Sequence, residues 1–390
     1  MKKKLIFVTE ALWIGGIETA LVNLLNRLDY DRYDVTCLIL RDCQEMACRI
    51  TPRCRLLVAD RQHPVTFREG YRYKRMYNLM EEPQHASKLR RLIWRVLCLI
   101  LRAPEARRYA AYVKKQLAGE HFDTAVIYSD RTAETAVRAI SADRFLMFYH
   151  NAIMDRAYHD FWGYKKSEKI IVVSESKLME LKEYRKKYSS KMLAVKNLID
   201  ITDIISRSHD HMDVVFSDEN FNIVTCGRLA YQKAIDWAIY ACKILLEDGY
   251  SNVQWWIVGG GPEYEKLDKL IGDLDIASHF HLLGMRDNPY PYIAKSDLYV
   301  QTSRYENYSV VILEAMALCK PILATFPAAD QQIMNGVNGE LCEPTPQAIA
   351  KGIENMILDE EARRRYCGYL SKNSLEKMNE DIMQKLYTLL

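Results

Sequence analysis

The chain consists of two successive arrays of apolar runs, which alternate with segments of helical periodicity. The runs are continuously apolar, which is typical of strands buried on both faces of a parallel sheet. Between residues 17 and 28, apolar positions recur every three or four residues and predict a helix. The runs are KLIFVTE, YDVTCLIL, CRLLVAD, FDTAVIY, RFLMFYH and KIIVVS in the first array, and FNIVTCGR, VQWWIVGGG, FHLLG, DLYVQTS, PILAT and GELCE in the second.

This alternation predicts an α/β protein with two doubly wound, Rossmann-like domains that face a cleft. The length of 390 residues also favours two cores over one. The polar segment SRSHDHMDVVFSDEN, residues 206–220, lacks periodicity and separates the arrays. We therefore predict an N-terminal domain over residues 1–205 and a C-terminal domain over 206–370. The last helix, within 371–390, could pack back on the first domain.

Composition places the chain among soluble globular proteins, with 49% apolar and 27% charged residues. The ten cysteines show no metal-ligand spacing and are typical of reduced cytosolic thiols. The apolar run after MKKK is interrupted by Thr9 and Glu10, which favours a strand over a signal peptide. No uncharged stretch approaches the ~20 residues of a membrane span. These features predict a cytoplasmic location.

Two motifs follow strands of the second array, where this fold opens onto its ligand crevice. In GRLAYQK, Arg228 and Lys233 place two cations where a phosphate group could lie, although taken alone they could be solvated surface charges. In VGGGPEYEKL, the glycines would permit close backbone approach to a ligand, or a tight turn. It is neither a complete Walker A motif nor a complete dinucleotide fingerprint.

The stretch SRYENYSVVILEAMALCKP contains Glu306 among polar residues and Glu314 within an apolar run. An isolated carboxylate in such a run is costly unless something pairs with it. We predict a loop up to Tyr308, then a helix capped by Ser309, whose N-terminus would favour an anion. Without a ligand role, Glu306 would simply be exposed and Glu314 would meet a neighbouring cation.

These pieces occur in the order found in retaining nucleotide-sugar glycosyltransferases of the GT-B fold, family 4 (glycosyl transferases group 1), and the chain resembles that family. The resemblance covers most of the C-terminal domain and the first βαβ unit, whereas residues 41–120 carry no family motif. It implies transfer of a sugar from a nucleoside diphosphate sugar, a UDP-sugar being favoured, to an acceptor hydroxyl. It also implies retention, no cofactor and no metal, and a place in cell-surface polysaccharide or glycolipid assembly. The matching segments are GGIETALVNLL, GRLAYQK, IVGGGPEYEKL, FHLLGMRDNPYPYIAKSDLYVQTSRYEN, the Glu-x7-Glu element and NGVNGELCEP.

The resemblance also implies roles for individual residues. Glu306 would contact the transferred sugar and Glu314 would accept hydrogen bonds from the ribose hydroxyls. Arg228 and Lys233 would neutralise the diphosphate. His150, which ends the run RFLMFYH, would lie near the reacting sugar, although a structural histidine at a strand end is the alternative. The remaining donor-binding positions are Gly15 and Gly16, Met285 and Arg286 near the nucleobase, and Asn307, Tyr308 and Ser309.

The chain departs from the family pattern at Ala234, Ser309 and Cys319, where glycine is usual. Serine at 309 still provides the backbone amide that should approach a phosphate. Two Asp-x-Asp pairs, at residues 29–31 and 273–275, follow helical patterns rather than strand ends, so we do not expect them to bind a metal. Two alternatives remain: a nucleotide-sugar epimerase on the same fold, and an inactive nucleotide-sugar-binding subunit of an envelope-polymer complex.

Residues 61–115 contain 14 Lys and Arg against 4 Asp and Glu, although the net charge of the whole chain is only +3. Such asymmetry suggests an anionic partner, but no motif indicates nucleic acid. Within KLRRLIWRVLCLILR, residues 88–102, an apolar stripe runs beside Arg91, Arg95 and Arg102. The segment could be an ordinary amphipathic helix packed on the sheet. It would also suit peripheral contact with an anionic inner-membrane surface and a lipid-linked saccharide acceptor.

Overall fold

A computed structural model describes residues 1–59, 107–150, 161–373 and 375–390. Seven parallel strands form one sheet in the order β3-β2-β1-β4-β5-β6-β7, and six form a second in the order β10-β9-β8-β11-β12-β13. The first contains β1 (Lys3–Thr9), β2 (Tyr33–Ile39), β3 (Arg55–Val58), β4 (His121–Ile127), β5 (Ser141–Tyr149), β6 (Lys169–Val172) and β7 (Met192–Ala194). The second contains β8 (Phe221–Cys226), β9 (Val253–Val258), β10 (Phe280–Gly284), β11 (Leu298–Gln301), β12 (Ile322–Thr325) and β13 (Glu340–Cys342).

Helices connect these strands and cover both sheets. Residues 107–116 are helical as well, and Tyr231–Lys233 form a 3₁₀ turn before α6. The α-helices are α1 (Gly16–Arg27), α2 (Ala133–Ala139), α3 (Phe161–Lys166), α4 (Glu175–Tyr184), α5 (Ile201–Arg207), α6 (Ile235–Glu247), α7 (Tyr264–Asp273), α8 (Tyr290–Lys295), α9 (Val310–Ala317), α10 (Pro346–Leu358), α11 (Glu360–Lys372) and α12 (Glu376–Leu389).

The continuous apolar runs are explained by burial on both faces of each sheet. Along β1, Leu5 and Phe7 belong to one hydrophobic cluster, whereas Ile6 and Val8 belong to another on the opposite face. Every one of the twelve predicted runs contains a strand, so the predicted doubly wound fold is confirmed. The short edge strand β7 and helix α5 were not predicted, because three and seven residues are too few to show a clear period.

The two sheets share a hydrophobic core. The cluster on one face of β1 extends to residues of β8, β11 and β12. Helix α12 packs against the first domain, where Glu376 forms a bidentate ion pair with Arg27 at 2.8 Å for both contacts. The Tyr387 ring stacks on Tyr33, with centroids 6.0 Å apart. The end of the chain is therefore anchored on the sheet formed by residues 3–194.

Each sheet has one point at which successive connections leave in opposite directions. This switch point lies between β1 and β4 in the first sheet and between β8 and β11 in the second. In such folds, ligands bind at the carboxyl ends of the strands beside the switch point. Among the described residues, no helix combines the length and apolar character needed to cross a bilayer. The basic segment 88–102 lies outside the described residues.

Candidate active site

The loops that follow β8 and β11 meet at the switch point of the second sheet. The backbone N–H of Arg304 donates to the carbonyl oxygen of Gln232 at 2.8 Å, and the Thr302 hydroxyl donates to the carbonyl oxygen of Lys233 at 3.0 Å. Two residues that are 73 positions apart, Lys233 and Glu306, are thereby brought together. The Lys233 Nζ lies 2.6 Å from the Glu306 Oε1.

The Glu306 carboxylate accepts several hydrogen bonds and is nearly enclosed. The exposed fraction is 9% for its side chain and 15% for that of Lys233. The Ser303 hydroxyl donates to Oε1 at 2.7 Å, and the Gln232 amide donates to Oε2 at 3.3 Å. Partly buried opposite charges hold one another strongly only when such additional hydrogen bonds are present. The pair is therefore a fixed feature of the cleft wall rather than a solvated surface contact.

Glu314 lies in the second turn of α9 and is buried. The phenol of Tyr290 donates to its Oε1 at 3.3 Å. Burial raises the pKa of the Glu314 carboxyl to about 7, against the smaller lowering effects of the Tyr290 hydrogen bond and of Arg49, Arg207 and Lys233. A carboxylate has about four acceptor sites, so this group has spare capacity for a ligand with two adjacent hydroxyls.

Two of the three glycines in the VGGG turn are required by packing within the domain. A Cβ at Gly259 would lie 1.9 Å from the carbonyl oxygen of Gly227, and one at Gly261 would lie 2.3 Å from that of Leu229. The backbone of this turn therefore lies close to the loop after β8; its predicted approach to a ligand stays a prediction. This contact fixes the loop that contains Arg228 and Lys233.

The glycine pair after β1 is different. Among the described residues, a Cβ at Gly16 would meet only Val310, at an ordinary 3.8 Å, and one at Gly15 would meet the flexible end of Glu18. Neither glycine has a positive φ. Packing does not require glycine at Gly16, which leaves access of a ligand to the backbone as a reason for it. The contact with Val310 also shows that the N-termini of α1 and α9 meet across the domains.

Arg228, Met285 and Arg286 lie in different environments. Arg228 is exposed, and its guanidinium makes no hydrogen bond or ion pair with the described residues. Met285 is 54% exposed and lies beside Gly260. Arg286 instead pairs with Asp213 in the segment before β8, with 2.6 Å between NH2 and Oδ2. Arg228 and Met285 are therefore available to a ligand, whereas Arg286 is engaged.

The loop from Asn307 to Ser309 contacts other parts of the protein. The Ser174 hydroxyl, in the N-terminal domain, donates to Asn307 Oδ1 at 2.8 Å, and Lys196 lies 5.7 Å above the Tyr308 ring. Ser309 occupies the N-cap position of α9, but its hydroxyl makes no capping bond.

The backbone N–H of Ser309, expected to approach a phosphate, donates to Gln332 Oε1 at 2.7 Å. Gln332 in turn donates through Nε2 to the carbonyl oxygen of Ser309 at 2.8 Å. The amides left for an anion are those of the first turn of α9, beginning at Val310, because first-turn N–H groups have no partner within a helix.

His150 follows β5, on the N-terminal side of the cleft. Its ring lies 4.8 Å from the Tyr128 ring and 5.8 Å from that of Phe148, centroid to centroid. Burial lowers the pKa of His150 to about 3. Its Nε2 has no hydrogen-bond partner among the described residues. The imidazole is therefore neutral and keeps one unsatisfied polar atom.

The two Asp-x-Asp pairs lie away from this cleft. Residues 29–31 precede β2, and residues 273–275 end α7 and precede β10. Both turns are at the amino ends of parallel strands, whereas Lys233 and Glu306 follow the carboxyl ends. Within the described ranges, no group of three or more His, Cys, Asp or Glu could hold a metal ion.

Comparison with known proteins agrees with this geometry. Residues 207–372 match the family described as glycosyl transferases group 1. Over its full length the chain is similar to Anabaena HepE, crystallised with UDP and glucose, with a TM-score of 0.72, 17% identity and 99% coverage of both chains. The predicted GT-B fold is thus confirmed.

Curated relatives match only part of this chain. An uncharacterised glycosyltransferase of Methanocaldococcus jannaschii is 27% identical over 179 residues, which cover 45% of this chain and 43% of the relative. A lipopolysaccharide core biosynthesis glycosyltransferase of Rhizobium meliloti is 29% identical over 145 residues, or 37% of this chain and 41% of the relative. The chain thus spans less than half of the length of these two relatives.

Several residues that shape the site were not predicted. Gln232 and Ser303 lie inside the motifs GRLAYQK and SRYEN, so their proximity to Glu306 in sequence was the available signal. Tyr290, Arg49 and Arg207 surround Glu314 from other elements. No local pattern connects them with it, because only the folded chain brings these elements together.

Proposed function

We propose that this protein is a glycosyltransferase that moves a sugar from a nucleoside diphosphate sugar to an acceptor hydroxyl. The main support for this proposal is the Lys233–Glu306 pair, which lies at the switch point of the second sheet, within the residues that match glycosyl transferases group 1. It presents a cation and an acceptor side by side in a cleft. A diphosphate needs the first, and the hydroxyls of a sugar need the second.

In this proposal, Arg228 and Lys233 neutralise the diphosphate together with the N-terminus of α9. The spare acceptor sites of Glu314 bind the ribose diol. Met285, which is exposed beside Gly260, contacts the base. The donor is a UDP-sugar; UDP and glucose bound to the similar fold of HepE support this choice.

We further propose that transfer proceeds with retention and without a metal. The leaving diphosphate would be stabilised by side chains and by backbone dipoles that are already in place. Neutral His150 would donate or accept a hydrogen bond near the sugar, but it would not be a positively charged imidazolium at neutral pH. Retention rests on the resemblance of the Glu306-x7-Glu314 element to that of the retaining family. Turnover should survive EDTA, and full loss restored by magnesium or manganese would refute the metal-free part.

The proposed acceptor is a lipid-linked saccharide, reached by peripheral binding to an anionic membrane in the assembly of a cell-surface polysaccharide. The basic, apolar sequence of residues 88–102 supports this, as does the Rhizobium relative in lipopolysaccharide core biosynthesis. Sedimentation with vesicles tests it. Binding should require anionic lipid, fall with salt, and weaken when Arg91, Arg95 and Arg102 become glutamine. Equal recovery with neutral and anionic vesicles would refute this part.

The decisive experiment for the activity is a panel of UDP-glucose, UDP-galactose, UDP-N-acetylglucosamine and the corresponding GDP-sugars. A bound donor should raise the melting temperature, because it binds only the folded state. The best donor should then show slow release of UDP or GDP and, with an acceptor, a labelled glycoside. Conversion of the label to a free epimer would identify an epimerase instead. No shift and no release with any donor would contradict the proposed function.

A further inference from the structure

Strand β11 contains polar residues where a doubly buried strand normally contains apolar ones. Tyr299 is 0% exposed, Gln301 is 1% exposed, and Ser303, two residues after the strand, is 1% exposed. Each buried polar group raises the free energy of the folded state unless it is hydrogen-bonded. The hydrogen bonds of these three side chains must therefore offset the cost of burying them.

The three side chains form a directed chain of hydrogen bonds that ends at Glu306. The Tyr299 phenol donates to Gln301 Oε1 at 2.6 Å, and Gln301 Nε2 donates to the Ser303 hydroxyl oxygen at 2.7 Å. Ser303 then donates its one hydroxyl proton to Glu306 Oε1 at 2.7 Å. The Gln301 amide also reaches this oxygen directly, at a longer 3.4 Å. All of the donors point towards the carboxylate.

The two oxygens of Glu306 are occupied unequally. Oε1 accepts from Lys233 at 2.6 Å and from Ser303 at 2.7 Å, which accounts for its two lone pairs. Among the described residues, Oε2 accepts only from Gln232, at 3.3 Å. Oε2 therefore has room for another donor, whereas Oε1 does not.

We propose that Ser303 and Gln301 are positioning residues that hold Oε1, so that Oε2 accepts a hydroxyl of the transferred sugar. This inference rests on the proposed function and assigns the contact to one atom. It also explains why Oε1 has donors besides Lys233. When a diphosphate draws the lysine away, Ser303 and Gln301 still fix the plane and direction of the carboxylate.

The chain offers a matched control for loss of a buried hydroxyl. Ser296 is 2% exposed and lies two residues before β11, as Ser303 lies two residues after it. The Ser296 hydroxyl donates to the carbonyl oxygen of Ile293 at 2.8 Å and is at the amino end of the strand, away from Glu306. Ser296→Ala and Ser303→Ala therefore remove the same group from equally buried positions.

The test compares Ser303→Ala, Gln301→Leu and Ser296→Ala in donor hydrolysis, using the donor from the panel that wild type hydrolyses fastest. Ser303→Ala should lower kcat about tenfold or more, since a hydrogen bond to a charged group is lost. Its affinity for UDP or GDP alone should stay within about twofold of wild type, because Glu306 contacts only the sugar in this scheme. Gln301→Leu should act in the same direction. Ser303→Thr, which keeps the hydroxyl, should recover most of the turnover.

The outcomes separate the inference from the function on which it rests. Equal kcat values for Ser303→Ala and Ser296→Ala in an active wild-type background would overturn the positioning role alone. So would a Ser303→Ala variant that loses nucleotide and donor binding equally. A wild type that neither binds nor hydrolyses any donor would overturn both proposals. Melting temperatures of all variants identify any that fail to fold. If Ser303→Ala is one of them, Gln301→Leu takes its place, and a kcat equal to that of Ser296→Ala then overturns the positioning role.

Discussion

Without ligand, the Glu314→Gln variant should lose less stability than wild type as the pH is raised from 5 to 8. Burial raises the pKa of this carboxyl from 4.5 to about 7. The folded protein therefore holds a proton that the unfolded chain has released, and its stability falls as pH rises from about 4.5 to 7. Glutamine does not titrate, so the variant lacks this pH-dependent change in stability. With 1.36 kcal/mol per pKa unit, the stability of Glu314→Gln relative to wild type should grow by about 2.5 kcal/mol between pH 5 and pH 8.

Urea unfolding followed by intrinsic fluorescence, at intervals from pH 5 to pH 8, measures this difference directly. Taking the difference between variant and wild type cancels the titration of the other groups. Glu343→Gln removes an exposed carboxylate and serves as the control, with no such growth expected. UDP binding should show the opposite ranking at pH 8, because the amide offers the ribose hydroxyls one neutral acceptor oxygen in place of the two oxygens of a charged carboxylate. A constant stability difference across the pH range would refute the argument that burial of this carboxylate is uncompensated.

Three further predictions concern other parts of the site. Arg228→Ala should weaken donor binding and turnover by about ten- to a hundredfold, because a charge-assisted contact of ~1.5–3 kcal/mol is lost. Its melting temperature should change little, because Arg228 is exposed. Unchanged kinetics would show that Arg228 is not part of the phosphate site. Gly16→Ala should fold normally, since the only described residue that the added Cβ meets is Val310, at 3.8 Å, but the variant should have a higher donor KM. A loss of stability instead would show a packing role for Gly16. Cys319→Gly should stabilise the protein by about 0.5 kcal/mol, because glycine adopts the left-handed φ of 52° at this position without strain. Cys319→Ala keeps the Cβ and should not be stabilised. Equal stability of the two variants would contradict this prediction.

The sequence alone determined the fold class and the local motifs. Strands buried on both faces are largely apolar at successive positions, so β1 and β9 can be identified without knowledge of their neighbours. The cations after β8, the glycines after β9 and the two glutamates around α9 are also local features. Each could be placed at a strand end or on a helix because the signal lies within about ten residues.

Tertiary structure alone decided which of these features meet. The pairing of Lys233 with Glu306 depends on β8 lying beside β11, although β9 and β10 intervene in the chain. The ion pair between Arg286 and Asp213 likewise depends on contacts between distant segments of the chain. The polar chain from Tyr299 to Glu306 could not be predicted either, because a buried glutamine is stable only where partners satisfy it. The pattern of apolar residues indicates which strands and helix faces are buried. The hydrogen-bond partners of a polar side chain are decided only when separate elements pack together.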